Sequence, residues 1–260
     1  MTNAAFEDAF EAHAPAAAVR VAAVTDVGPT RQRNEDAVLV PGVILAAMPH
    51  GHWEGQVASG ATAVVQVIDG MGAHGGGSLA SALSALMMNE LASAGVAGAD
   101  PDPAWLEHSL QAVGDTVVDV GTLNPGTRIM GAATAGLVIG GVNVLAYNVG
   151  DCRVYVAEGG YLSLLTTDHR SRVGGGLTRS LGGTGKREVV TPDVIAMDRL
   201  VPRRYLLCSD GLTDTLPFDV LRDHLQETSA PEAATRLVEA AIEANSQDNV
   251  TVIVVDVGAV

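Results

Sequence analysis

Only two cysteines, Cys152 and Cys208, occur in the 260 residues, and these are too few to form a disulfide framework. Basic residues are also scarce, because 15 Lys and Arg stand against 30 Asp and Glu, giving a formal net charge of −15. A surface of this sign repels nucleic acid and anionic membranes. We therefore predict that neither nucleic acid nor a membrane is a partner.

Long hydrophobic runs are missing as well. No apolar stretch reaches the ~18 residues of a membrane span. The acidic, alanine-rich residues 1–18 lack the basic and apolar segments of a signal peptide, so they are expected to be an N-terminal tail. We expect a cytoplasmic protein from these features, with a monomer as the default oligomeric state.

What the chain does contain is enough apolar material for a large core. Hydrophobic residues make up 47% of the chain and charged residues 17%, which is the opposite of the balance in disordered chains. No internal repeat or linker divides the sequence. Residues 19–260 are therefore predicted to form one domain.

Strands are predicted in hairpins and helices in pairs, which favours an α+β fold with antiparallel sheets over a doubly wound parallel sheet. Residues 49–55 are predicted to be a loop, and 170–186 a glycine-rich loop. Asp102 is expected to cap the second helix. The predicted strands are 20–25, 37–47, 61–68, 133–139, 143–149, 154–157, 161–165, 205–209 and 250–257, and the predicted helices are 78–93, 103–120, 217–226 and 231–245.

Carboxylates fall at the ends of predicted strands. Three apolar strands run directly into an aspartate, a fourth aspartate precedes the last strand, and an acidic pair enters the second strand; these residues are Asp69, Asp151, Asp210, Asp248, Glu35 and Asp36. A single Asp-Gly pair is usually only a turn, but five acidic positions in one context, with the pair Glu35-Asp36 counted as one, are not. Carboxylates fixed close together repel one another, and Mg²⁺ or Mn²⁺ would neutralise them.

These residues stand in motifs that resemble the type 2C (PPM) metal-dependent protein serine/threonine phosphatases, especially the bacterial ones. The resemblance extends from about residue 21 to residue 257. It is carried by five segments in the family's order, 28–36, 69–74, 149–153, 207–214 and 248–254. It implies a four-layer α-β-β-α sandwich with two central antiparallel sheets.

The resemblance also implies roles for individual residues. Asp69 would bridge two Mn²⁺ or Mg²⁺ ions, with Glu35 and the Gly70 carbonyl completing one site. Asp210 and Asp248 would bind the other ion, and Asp151 would help to hold a third, weaker one. Asp36 would orient bound water, and Arg31 would bind phosphate. The implied reaction is hydrolysis of phosphoserine or phosphothreonine by a hydroxide that bridges the two ions.

Two departures from the family pattern concern loops. The stretch 43–67 is longer than the family requires, and we interpret it as an exposed insertion that contains His50, His52 and Trp53 by chance. The mobile flap of bacterial members is largely absent after His169, which predicts a more open site. Seven basic residues could form a face for a phosphoprotein, or simply a solvated loop: Arg170, Arg172, Arg179, Lys186, Arg187, Arg203 and Arg204.

Other functions fit the sequence less well. A nucleotide-binding reading of the glycines in 70–75 fails because Asp69 would repel a pyrophosphate. A cysteine-based phosphatase fails because neither cysteine is followed by the required arginine. A catalytically weak regulatory relative that binds a phosphoprotein stays open, although such relatives usually lose the carboxylates kept here. The expected partner is a phosphorylated protein, either a Ser/Thr kinase or one of its targets.

Overall fold

The computed structural model describes residues 19–57, 61–95, 100–174, 176–226 and 229–258. The predicted tail, residues 1–18, lies outside the described residues. The strands are β1 (Val19–Asp26), β2 (Asp36–Val40), β3 (Val43–Ala46), β4 (His50–Val57), β5 (Ala63–Met71), β6 (Gly131–Ile139), β7 (Asn143–Val149), β8 (Arg153–Glu158), β9 (Tyr161–Leu164), β10 (Leu181–Gly182), β11 (Asp193–Asp198), β12 (Arg203–Cys208) and β13 (Val250–Val257). The helices are α1 (Gly76–Gly95), α2 (Pro103–Thr122), α3 (Asp210–Thr213), α4 (Phe218–Leu225) and α5 (Ala230–Glu243).

Two antiparallel sheets stack face to face in the described part of the chain. One has the order β4-β1-β13-β12-β8-β9, and the other has the order β11-β7-β6-β5-β2-β3, with β10 paired to β6. Helices α1 and α2 cover the second sheet, and α4 and α5 cover the first. The predicted α+β fold and its four α-β-β-α layers are confirmed.

The central strand β13 shows why the sequence adopts this arrangement. Ile253, Val255 and Val257 face the core between the two sheets, whereas Val252 and Val254 pack under the helices. Every residue of β13 is buried. Because the strand is covered on both faces, its middle, residues 252–255, is apolar without alternation, and only Thr251 and Asp256 are polar.

Several local predictions are confirmed. The Asp102 side chain accepts a hydrogen bond of 2.9 Å from the Ala104 amide and caps α2, with Pro103 in the first turn. The glycines at 140 and 141 join β6 and β7 in a hairpin, where Ile139 pairs with Val144. The predicted hairpin of β8 and β9 also forms.

Other local predictions are wrong. The strand predicted at 37–47 is a hairpin, because Gly42 takes a left-handed φ of 75° and turns β2 back into β3. The loop predicted at 49–55 is β4, an edge strand paired with β1 along its whole length. Its residues alternate between exposed and half-buried, so backbone pairing supports it more than hydrophobic burial does. Strand β11 was not predicted.

The insertion of 43–67 thus extends both sheets, since it contains β3 and β4 and leads into β5. His50 and His52 are exposed on β4, and Nδ1 of His50 lies 2.6 Å from Oδ2 of Asp26. On the flap side, Arg170 and Leu177 form a β-bridge, so that only a short loop separates them. No helix in the described ranges is both long enough and apolar enough to cross a membrane.

Candidate metal centre and active site

The sheet register brings the strand-end carboxylates to one edge of the sandwich. Asp36 at the start of β2 is paired directly with Asp69 near the end of β5, and Asp69 is paired with Ala133 of β6. In the other sheet, β12 ends next to the beginning of β13, because Cys208 pairs with Val252. Asp210 and Asp248 lie just beyond these two strand ends. Antiparallel pairing therefore gathers residues that are far apart in the sequence.

Glycine is required after two of these aspartates. A Cβ atom on Gly70 would lie 2.1 Å from the carbonyl oxygen of Gly77, and one on Gly211 would lie 1.9 Å from the carbonyl oxygen of Asn249. Real Cβ atoms do not approach oxygens so closely, so any side chain would push the backbone segments apart. The two Asp-Gly pairs are therefore points of close packing at the cleft.

The carboxylates line a cleft of about 410 Å³. All the predicted site residues except Asp36 border it, and Asp36 lies behind them as a buried side chain. His74 is exposed at the start of α1 and does not border the cleft. The predicted residues on the cleft wall are Arg31, Glu35, Asp69, Gly70, Asp151, Asp210 and Asp248, joined by Arg170 and Asn249 among others.

Asp36 is the end point of a buried hydrogen-bond network. Its Oδ2 accepts from the hydroxyls of Ser209 at 2.8 Å and Thr251 at 2.6 Å. Thr251 in turn contacts Thr25 at 2.7 Å, and Asn34 donates to Thr25 at 2.8 Å. Burial raises the pKa of Asp36 to about 7, even though the two hydroxyls lower it.

Asp69 has no hydrogen-bond donor or cationic side chain as a partner among the described residues. Burial of its carboxyl group raises the pKa well above the usual range, and repulsion from Asp36, Asp210 and Asp151 raises it further. One oxygen of Asp69, one oxygen of Asp151 and the sulfur of Cys152 all lie within 4.8 Å of one another. A carboxylate without a partner in such surroundings needs a positive charge beside it.

Two arginines supply positive charge elsewhere in the cleft. Arg31 donates from Nη2 to Asp248 at 2.5 Å and from Nε to the Gln247 carbonyl at 3.2 Å. Arg170 donates to both Asp151 and Asp210. Burial raises the pKa of Asp210 to about 6, as do the charges of Asp151 and Asp248, while Arg170 lowers it.

The donor set fits divalent cations. Five carboxylate residues border the cleft against two arginines, which leaves an excess of negative charge when all are ionised. The Oδ1 atom of Asp210 is buried and has no hydrogen-bond partner in the described part of the chain. Oxygen donors that are fixed, anionic and unpaired are the ligands that Mg²⁺ and Mn²⁺ prefer.

Sequence reasoning missed the residues that support this centre. Asn249 accepts a hydrogen bond from the Glu35 amide at 2.8 Å and donates to the carbonyls of Val27 and Arg33, so it holds the segment before β2. Its place directly after Asp248 was the available signal. Ser209 directly follows the apolar strand β12 and Thr251 lies within β13, and a lone hydroxyl in such a sequence gives no indication of its partner.

Five of the seven basic residues that could form a face for a phosphoprotein are paired with carboxylates of the chain. Four of the seven basic residues are paired with separate carboxylates outside the cleft, and Arg170 points into the cleft. The four pairs are Arg179 with Asp193, Arg187 with Asp119, Arg203 with Glu158, and Arg204 with Asp256. Both cysteines are buried.

Comparison with known proteins decides the family. Residues 52–245 match the family model described as Protein phosphatase 2C. The chain belongs to the protein phosphatase 2C family. The matched segment contains Asp69, Gly70, Asp151 and Asp210, whereas Arg31, Glu35, Asp36 and Asp248 lie on either side of it.

Individual members of the family extend the likeness to almost the whole chain. The serine/threonine protein phosphatase PstP of Mycobacterium tuberculosis is 27% identical over 92% of this chain, which spans only 45% of the length of PstP. The serine/threonine phosphatase Stp of Listeria welshimeri is 28% identical over 74% of this chain and 84% of its own. The structure of the PstP catalytic domain in complex with two manganese ions aligns with a TM-score of 0.75 and 27% identity, covering 93% of this chain and 99% of that one.

Proposed function

We propose that this protein is a metal-dependent protein serine/threonine phosphatase. The observation that carries the proposal is the cleft itself, in which Asp69 has no partner among the described residues and in which burial, together with the neighbouring carboxylates, raises its pKa. Named phosphatases among the relatives support the same activity. Residues 19–260 would be the catalytic domain.

The cleft would hold two Mn²⁺ or Mg²⁺ ions. Asp69 would be shared between them, Glu35 and the Gly70 carbonyl would complete one set of ligands, and Asp210 and Asp248 would supply the other. The PstP catalytic domain, which contains two manganese ions, supports this number. When bound, such ions lower the pKa of a water ligand and neutralise phosphoryl oxygens.

The protein's own side chains would orient the water, accept its proton and bind the phosphate. Asp36 is held through Oδ2 by Ser209 and Thr251, and no described hydrogen bond uses its Oδ1. That atom would orient a water molecule and accept its proton. Arg31, half-exposed at the cleft rim, would turn from Asp248 to a phosphoryl oxygen of the substrate.

The substrate would be a phosphoserine or phosphothreonine protein, such as a Ser/Thr kinase or one of its targets, and the chain would act as a cytoplasmic monomer. The related phosphatases and the open cleft support a protein substrate. A purely regulatory role is less well supported, because Asp69, Asp210 and Asp248 are all kept and all border the cleft.

The test is hydrolysis of a phosphothreonine peptide by the wild type and by Asp210→Asn, with added Mn²⁺ and after chelation. We expect turnover that needs Mn²⁺ and falls by about 10³-fold or more in the variant, since a ligand and a charge are lost together. Asp223→Asn is the matched control, because Asp223 is an exposed carboxylate paired with Arg222.

Undiminished activity in Asp210→Asn would show that the assigned site is wrong. Absence of turnover with every metal, from a folded wild type that still binds Mn²⁺, would favour the regulatory alternative. Loss of activity in the Asp223→Asn control would indicate a general effect of the substitution.

A further inference from the structure

Arg170 is a positive charge that the chain itself places inside the cleft. Its Nε donates to Oδ2 of Asp151, its Nη2 donates to Oδ2 of Asp210, and its Nη1 lies 3.4 Å from Oδ2 of Asp214. Each of its three nitrogens thus faces a different carboxylate. Three carboxylates around one point are what a further divalent cation would need, and here a guanidinium takes the position.

The backbone on both sides fixes the start of the Arg170 side chain. The His169 amide donates to the Gly150 carbonyl at 2.8 Å, and the His169 ring accepts from the Gly150 amide at 3.1 Å. After Arg170, the Ser171 amide donates to the Gly176 carbonyl at 2.8 Å. The loop is therefore short and tied to the turn that carries Asp151.

The burial of the group agrees with a fixed position. The Arg170 side chain is 33% exposed, against 7% for Asp151 and 18% for Asp210. A guanidinium remains protonated at any working pH, so its charge is permanent, whereas a bound ion dissociates. A divalent cation on the same three oxygens would lie beside this charge and be repelled by it.

The two oxygens of Asp210 are in different situations. Oδ2 is used by Arg170, while Oδ1 is buried and has no hydrogen-bond partner among the described residues. Asp210 can therefore keep Arg170 with one oxygen and still offer the other. The two roles do not compete for the same atom.

We propose that Arg170 is a permanent internal counter-ion for Asp151, Asp210 and Asp214, and that it limits the cleft to two divalent cations by excluding a third. The inference rests on the proposed function, because it assumes that the Asp69 side binds metal. It replaces the expectation that Asp151 helps to hold a third ion. The shortened loop after His169 would then determine how many metals the enzyme carries.

The experiment counts Mn²⁺ ions bound per chain by native mass spectrometry and titration calorimetry, for the wild type and for Arg170→Met. We expect about two ions in the wild type and about three in Arg170→Met, since oxygen ligands without a counter-ion bind hard cations. Arg170→Lys keeps the charge and should bind about two. Circular dichroism shows whether each variant is folded.

Two further variants locate the effect. Asp214→Asn combined with Arg170→Met removes a carboxylate of the same group and should return the count to about two. Arg187→Gln is the matched control, because Arg187 pairs with Asp119 on the surface and its loss should leave the count unchanged.

The outcomes separate this inference from the proposed function. Three ions in the wild type, or two in a folded Arg170→Met, overturn the inference and leave a metal-dependent phosphatase intact. No bound ions in a folded wild type overturn both. If Arg170→Met does not fold, the wild-type count together with that of Arg170→Lys still decides, because a third ion in either contradicts exclusion by this charge.

Discussion

The carboxylates on the two sides of the cleft repel one another, and their negative charge is neutralised differently on each side. On one side, Asp69 and the buried Asp36 have no cationic side chain beside them in the described part of the chain, and the pKa of each is raised. On the other side, Asp151 and Asp210 share the guanidinium of Arg170. The side that lacks a cation is where the chain depends on one from solution.

This difference shows that the number of metal ions cannot be inferred from the number of clustered acidic residues alone. Carboxylates attract cations of any kind, and an arginine on a short loop satisfies some of them without a metal. The number of ions therefore depends on which carboxylate oxygens an arginine of the chain already holds. Four predictions test this contrast, and they run from the largest expected effect to the smallest.

Asp69→Asn should have the largest effect, because it removes the carboxylate at the centre of the unpaired side. We expect a loss of about 10³-fold or more in kcat/KM, close to 4 kcal/mol, together with loss of Mn²⁺ binding. Steady-state hydrolysis and calorimetry measure the two effects. Asp119→Asn, a surface carboxylate, is the control, and normal Mn²⁺ binding by Asp69→Asn would contradict the contrast.

The metal-free protein should become less stable as pH rises from about 4 to about 7. The pKa of Asp36 is raised to about 7 and that of Asp210 to about 6, so the folded chain binds more protons than the unfolded chain in this range. The free energy of unfolding should therefore fall with pH, on the order of 4 kcal/mol in total. Urea unfolding in chelator measures it.

Asp36→Asn should remove a large part of this pH dependence. A stability that rises between the same pH limits would show that the buried carboxyl groups are ionised throughout.

Arg31→Gln should lower kcat/KM by about tenfold to 30-fold, chiefly through KM, because the proposed phosphate contact is lost. Arg31 is also the cation beside Asp248, so Mn²⁺ binding should persist in the variant. Peptide hydrolysis at several substrate concentrations separates KM from kcat. Arg33→Gln, two residues away and exposed, is the control and should change kcat/KM less than twofold; equal effects of the two variants would contradict a specific role.

Thr251→Val should have the smallest effect, a loss of about 1–2 kcal/mol in the free energy of unfolding. The change keeps the side-chain shape but removes one of the two hydroxyls that donate to Asp36. Urea unfolding of the metal-free protein measures the loss. Thr116→Val is the matched control, because the Thr116 hydroxyl bonds only to the Ala112 carbonyl of its own helix. A neutral result for Thr251→Val would mean that Ser209 alone satisfies Asp36.

Hydrophobic periodicity and turn residues predicted most of the fold. The prediction failed for elements whose burial leaves no regular pattern of apolar residues in the sequence. The hairpin of β6 and β7 and the cap of α2 were predicted because glycines and Asp102 mark them locally. Strand β4 was missed because it is an edge strand whose residues point to solvent or into half-buried positions. Backbone pairing with β1 stabilises β4, and one sequence alone does not indicate which strands pair.

The site likewise contains residues that the sequence predicted and residues that it did not. Carboxylates at strand ends were readable from the sequence, since each follows or precedes an apolar run. Arg170 was not readable as part of the site, because its neighbours Asp151 and Asp210 are 19 and 40 residues away and only the folded loop brings it to them. The hydroxyls of Ser209 and Thr251 were hidden for the same reason. Arg170 and the two hydroxyls join the site only through contacts between segments that are distant in the sequence.

The placement of the cleft carboxylates has a thermodynamic consequence. Asp69 belongs to one sheet, whereas Asp210 and Asp248 adjoin strands of the other. An ion held by both sets binds only when the two sheets are packed together, so it stabilises the whole sandwich by mass action. At a free concentration one hundred times its dissociation constant, one such ion adds about 2.7 kcal/mol. The melting temperature of the chain should then report the free metal concentration of its surroundings.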